Sequence, residues 1–117
     1  MAKLKLIPDP TFEAKVAVPV PGAGTVDVKF TFKNRSRDEM RRLTARCNPE
    51  SPEYEPDMTD LQMVMECACG WELADAFTED NVKTFCANYI AGPAAVFETY
   101  VAEMAGARLK NSGRPRL

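Results

Sequence analysis

The sequence predicts an α+β domain, in which an N-terminal antiparallel β-hairpin packs against a bundle of three to four α-helices. Three observations carry this expectation. Residues 11–33 hold two runs in which apolar side chains recur at every second position, the period of a strand buried on one face. A cluster of Pro and Gly separates those runs. From residue 36 onward the apolar positions are spaced by three and four instead, the period of a helix. With 117 residues, 45% of them hydrophobic, the chain has the size and apolar content of one domain with one core. It divides into an N-terminal arm (1–10), the hairpin (11–33), a helical part (36–110) interrupted by an acidic Pro-rich loop (48–57), and a basic tail (111–117).

In the first run Phe12, Ala14, Val16 and Val18 share a face. In the second, Val26, Val28, Phe30 and Phe32 lie opposite Thr25, Asp27, Lys29, Thr31 and Lys33. Pro19-Val20-Pro21-Gly22-Ala23-Gly24 between them supplies turn residues, so the pair reads as an antiparallel hairpin. A lone hairpin is marginal in water, so helices must cover its apolar face.

Ser36 and Glu39 have the spacing of a capping box. The helix behind them puts Met40, Leu43 and Cys47 on one side, and Asn48-Pro49 ends it. A second helix is predicted to begin near Asp57 or Thr59, with Leu61, Val64, Met65 and Ala68 as its stripe, Gly70 as its stop, and Trp71 and Leu73 as anchors behind it. Thr78 caps a third, with Glu79 and Asp80 in its first turn and Val82, Phe85, Cys86, Tyr89 and Ile90 inward. Gly92-Pro93 interrupts the helical pattern. A fourth helix follows from about Ala94 to Lys110, with Val96, Phe97, Tyr100, Val101 and Met104 inward.

Composition excludes several functions. Fifteen Lys and Arg against seventeen Asp and Glu leave a net charge of −2, without the basic excess of a dedicated nucleic-acid binder. No apolar run approaches the roughly 20 residues that span a bilayer. The basic N-terminus is cut short by Pro8-Asp9-Pro10, unlike a signal peptide, which predicts a cytosolic protein. Without any histidine, the usual activated Ser or Cys nucleophile is missing, and so is every zinc site mixing Cys with His. Cys47, Cys67, Cys69 and Cys86 then read as free thiols, because Cys67-Ala68-Cys69 lacks zinc-knuckle spacing and the cytosol disfavours disulfides. No catalytic residue, metal site or cofactor is assigned. The acidic residues of loop 48–57 lack the ordered oxygens and central glycine of a calcium loop.

Two surfaces invite a partner. Arg35, Arg37, Arg41, Arg42 and Arg46 form a basic helix that is an alternative nucleic-acid contact, although Asp38 and Glu39 within it favour a solvated face. The second helix carries Met58, Met63 and Cys67 beyond its core stripe. Methionine suits surfaces that accept varied apolar partners; the same surplus also fits a helix buried on two sides.

Several ordered stretches then share a family's pattern. These are Val26-Asp27-Val28-Lys29-Phe30-Thr31-Phe32-Lys33-Asn34-Arg35-Ser36, Gly70-Trp71, Phe77-Thr78-Glu79-Asp80-Asn81-Val82, and Tyr89 before Ala94-Ala95-Val96-Phe97 and Tyr100. Ala107-Arg108-Leu109-Lys110-Asn111 completes them. Over roughly residues 10–112 the chain resembles the tail assembly chaperones of long-tailed (siphophage-type) phages and prophages. The resemblance implies a non-enzymatic protein of the host bacterial cytoplasm. It would bind the tape measure protein during tail morphogenesis, be absent from the mature virion and self-associate, with the tail tube protein as a second partner. It also implies a longer form made by ribosomal frameshifting, which the codons for Leu109-Lys110-Asn111 would permit if they read A-AAA-AAC across the slip. Partner contact is placed on Met58, Met63 and Cys67, on the outer face of the 94–108 helix, and on Arg108 and Lys110 near the tail. Phe30, Phe32, Trp71, Phe77, Phe85, Tyr89, Phe97 and Tyr100 are expected as core anchors.

Overall fold

The two alternating runs form strands β1 (Thr11–Val20) and β2 (Gly24–Lys33), paired antiparallel from Thr11 opposite Lys33 to Val20 opposite Gly24. The structure is a computed structural model that describes residues 4–106. The turn depends on its glycines: Gly22 (φ 82°) and Gly24 (φ 75°) occupy the left-handed region, where a Cβ is strained. Helices α1 (Arg37–Arg46), α2 (Asp60–Cys67), α3 (Glu79–Asn88) and α4 (Gly92–Ala105) follow. The α+β class and the N-terminal hairpin are as the alternation predicted.

The helix starts follow from local chemistry. Ser36 Oγ accepts from Glu39 N, and Ser36 N donates to Glu39 Oε1, which holds that carboxyl below its ordinary range. Thr59 and Gln62 form a second reciprocal box, and Thr78 Oγ1 accepts from Asn81 N. Each cap satisfies backbone donors that have no partner inside the helix. Between α3 and α4 the chain turns closely: a Cβ on Gly92 would lie 2.7 Å from Phe85 Cζ, so the junction needs glycine.

One element departs from expectation. The second helix does not run on to Gly70; it ends at Cys67, and Ala68–Trp71 forms strand β3, antiparallel to β2, giving a sheet ordered β1-β2-β3. Four residues are too few to display an alternation, and Val64 and Ala68 keep helical spacing, so the change of state is silent locally. It is enforced by the open edge of β2, with Phe30 opposite Trp71 and Phe32 opposite Ala68. Lys33 Nζ donates to Met65 O at 2.8 Å, satisfying a carbonyl of the last turn of α2.

The core joins Val16, Val18, Phe30 and Phe32 of the sheet to Leu43, Val64, Cys67, Val82, Phe85, Val96 and Tyr100 of the helices. Phe30, Phe32, Phe85 and Tyr100 are buried anchors, while Trp71, Phe77 and Phe97 are partly buried against them. The Trp71 indole meets Phe30 and Phe77 edge-on, with ring centroids 5.9 and 5.0 Å away, the geometry that aromatic quadrupoles favour. Tyr89 corrects the expected set, being 37% exposed. Its spacing continues the α3 stripe, but the helix ends at Asn88 and Tyr89 (φ −121°, ψ 88°) has left it. The stripe therefore stops projecting inward, and Ile90 is exposed as well. Leu73 and Val26 likewise lie outside the core.

Candidate functional site

The inner face of the hairpin is covered unequally along its length. Near its base, β3 pairs with β2 and α4 packs on β1. There the Tyr100 ring sits 5.4 Å from Phe32 and 6.2 Å from Phe12. Its hydroxyl donates to Lys33 O at 2.7 Å and accepts from Arg35 Nη1 at 2.9 Å. Arg35 Nη2 reaches Glu66 Oε1 at 2.9 Å, and Arg46 bridges Glu66 and Glu55 at 3.2 and 3.1 Å. Burial pushes the Tyr100 phenol above its ordinary value.

Toward the tip the same apolar stripe continues without that cover. Val18, Val20, Val26 and Val28 floor a groove of about 580 Å³, walled by Trp71 and Leu73 on one side and Phe85 and Tyr89 of α3 on the other, with Asp75 and Asn88 among its lining residues. Val26 is 51% and Leu73 42% exposed. Its walls are mostly apolar, with a few polar groups among them, the composition of surfaces that accept apolar segments.

The partner-contact residues expected from the sequence are distributed otherwise. Met58 and Met63 come together, partly buried with Cys47 beside exposed Tyr54 of the acidic loop, and Met58 Sδ lies 3.9 Å from Cys47 Sγ. Cys67 does not join them. It is fully buried at the end of α2 and unable to touch a partner, because its helical position, three beyond Val64, faces the core. Burial raises its thiol to about 12, so it is neither thiolate nor nucleophile at neutral pH. Cys69 is exposed. Among the described residues no three Cys, Asp or Glu side chains gather to hold a metal ion, and no helix is long and apolar enough to cross a membrane. Arg108 and Lys110 lie outside the described residues.

The basic helix is partly committed to the fold. Arg35 and Arg46 are engaged with Tyr100, Glu66 and Glu55, and exposed Arg41 lies 3.5 Å from Asp38. The sequence places Val26, Leu73 and Tyr89 on inward faces or as anchors and Val20 in the turn, and does not show that they line one groove. The available signal was length: ten-residue strands extend about 33 Å, whereas helices of eight and ten residues extend only about 12–15 Å. Helices of that size leave part of the sheet bare.

No curated protein and no solved structure matches the chain. A family model described as phage tail assembly chaperone does match, over residues 1–111. That span takes in the hairpin, the four helices of the described residues and the groove between them: the chain belongs to the phage tail assembly chaperone family.

Proposed function

We propose that this tail assembly chaperone binds the tape measure protein in the host bacterial cytoplasm, acts without catalysis, and is left out of the mature virion. The observation that carries the reading is the groove at the hairpin tip, an apolar slot left open on a protein whose family works in phage tail assembly. A long amphipathic client needs many weak apolar contacts that release later, and a shallow groove open along its length supplies such contacts better than a deep pocket. Val26, Leu73 and Tyr89 would seat the apolar side of a client helix. Met58 and Met63, the outer face of α4, and Arg108 and Lys110 are further candidate contacts. The tail tube protein is a second candidate partner, and a frameshifted longer form would carry the same groove.

Co-expression with the tape measure protein tests the proposal. The client should stay in solution and co-purify with the wild-type chain, and Leu73→Asp should abolish co-purification without unfolding the domain. A client that behaves identically with and without the chaperone would sink the reading. Mass spectrometry of purified particles should find no peptides of this chain.

A further inference from the structure

Three sulfur side chains meet at the join between α1 and α2, where Cys47, Met58 and Met63 line one cavity of about 120 Å³. All three are partly buried, and Met58 Sδ lies 3.9 Å from Cys47 Sγ. Local structure holds each of them. Cys47 is the C-cap of α1, its N–H bonded to the carbonyls of Thr44 and Ala45. The acidic loop then returns onto that helix end: Glu55 N donates to Arg46 O at 2.9 Å, and Met58 N to Glu55 O at 3.1 Å. Thr59 is the N-cap of α2, so Met58 immediately precedes the cap and Met63 is the fourth helical residue. Those are the two positions that a hydrophobic staple brings together.

A staple needs apolar residues but not sulfur. Here both are thioethers and a thiol stands against them, which gives the cluster a chemistry that a pair of leucines lacks. With metal–sulfur bonds of about 2.3 Å, as in zinc–thiolate bonds, two ligands at a trigonal angle stand about 4 Å apart. The Cys47–Met58 separation already matches that spacing.

Donor type and charge decide which ion fits. Among the described residues no three Cys, Asp or Glu side chains gather, and Glu55 at the rim of the cavity is engaged by Arg46 at 3.1 Å. Thiolate and thioether sulfurs suit Cu(I), zinc and iron–sulfur clusters. The last two want four ligands, with several thiolates among them in all-sulfur sites, and a single cysteine does not supply them. Cu(I) with one thiolate is neutral, whereas Zn(II) with one thiolate keeps a net positive charge, which is costly in a partly buried place.

We infer that Cys47, Met58 and Met63 form a binding site for one Cu(I) ion, which joins the end of α1 to the start of α2. As the ion binds, the Cys47 thiol releases its proton to solvent and its sulfur bonds the metal as thiolate. The two thioethers bond through sulfur lone pairs, and nothing is oxidised or reduced. Cys67, fully buried in the core, is not among the ligands. The site lies apart from the groove at the hairpin tip, whose lining residues are different, so its test does not depend on client binding.

Competition for Cu(I) against the chromophoric chelator bicinchoninate, under anaerobic reducing conditions, tests the site in the full chain. The parent carries Cys69→Ser, which removes the exposed thiol. One ion per chain should be retained, and adding Cys47→Ser should abolish retention. Loss of an outer-shell partner alone costs about 10–100-fold in metal affinity, so Met58→Leu and Met63→Leu should each weaken binding by at least about tenfold. Leucine keeps the staple and nearly the volume, and unchanged circular dichroism checks that each variant is folded. Cu(I) should also raise the thermal midpoint of the parent and leave that of the Cys47→Ser chain where it was. No retained copper, equal retention in the Cys47→Ser chain, or parental affinity in either leucine variant would each overturn the inference.

Discussion

The two ends of one hairpin meet opposite fates. At the base, Phe30 and Phe32 are fully buried, Phe32 against Tyr100 and Phe30 against Trp71 and Phe85, and Arg35 and Arg46 meet at Glu66 nearby. At the tip, Val26 continues the same alternating stripe four residues before Phe30 and six before Phe32 in β2, yet half of its surface meets solvent. Residue type does not explain the difference, because both ends carry β-branched or aromatic side chains on the same face. What differs is cover: β3 and α4 lie against one half and stop short of the other. A strand's apolar face is a demand for burial, and a short helical part meets that demand only in part. The remainder is available to other chains.

The largest expected effect separates the ends by stability. Phe30→Ala should cost about 3–5 kcal/mol of unfolding free energy in urea melts, whereas Val26→Ala should stay within about 0.5 kcal/mol of wild type. Equal costs would mean that the tip is packed as tightly as the base. Tyr100→Phe should have an intermediate effect. It keeps the ring between Phe12 and Phe32 but removes the hydroxyl that serves Lys33 O and Arg35, leaving a part-buried carbonyl unpaired at about 1–3 kcal/mol. A neutral result would show that water replaces the hydroxyl, and the base would then be less sealed than the tip contrast requires.

The smallest effect is read in alkali. The folded Cys67 thiol is pushed from the usual 9.0 up to about 12 by burial. Its folded value lies above its unfolded one, so its contribution is complete below about pH 9 and is lost as pH climbs toward 12. Burial moves Tyr100 in the same direction. Cys67→Ala should therefore make the decline of stability between pH 9 and 12 shallower without removing it. Thiol labelling at neutral pH should modify Cys69 in the folded chain and Cys67 only after unfolding; prompt labelling of both would place Cys67 at the surface.

Much of this molecule was legible in the sequence because its signals are local. Alternation at 11–33 specified the hairpin and its inner face, the Ser36/Glu39 and Thr78 caps specified helix starts, and Gly92-Pro93, read as the break before a helix from about Ala94, are the first residues of α4. The misreadings were at places where a local pattern outran its element. Tyr89 and Ile90 keep helical spacing past the end of α3, and Ala68 keeps it past the end of α2, so both stripes were extended too far. Cys67 was read outward because a Met-rich neighbourhood suggested a surface, whereas its position relative to Val64 turned it inward. The groove was invisible for a related reason: no motif marks a place where cover runs out.

Residue order by itself determined the two hairpin strands and the presence of four helices, which faces are apolar, and, through composition and the absence of histidine, that the usual nucleophile–base chemistry is missing. These follow from side-chain periodicity and from backbone groups satisfied within a turn or two. Only the tertiary structure decided that Ala68–Trp71 would leave the helix to complete the sheet, that Arg35 and Arg46 would turn inward to Glu66, and that the hairpin tip would stay open. Those outcomes depend on how far each element extends over its neighbours, a property of relative lengths and docking positions that no single stretch of sequence carries.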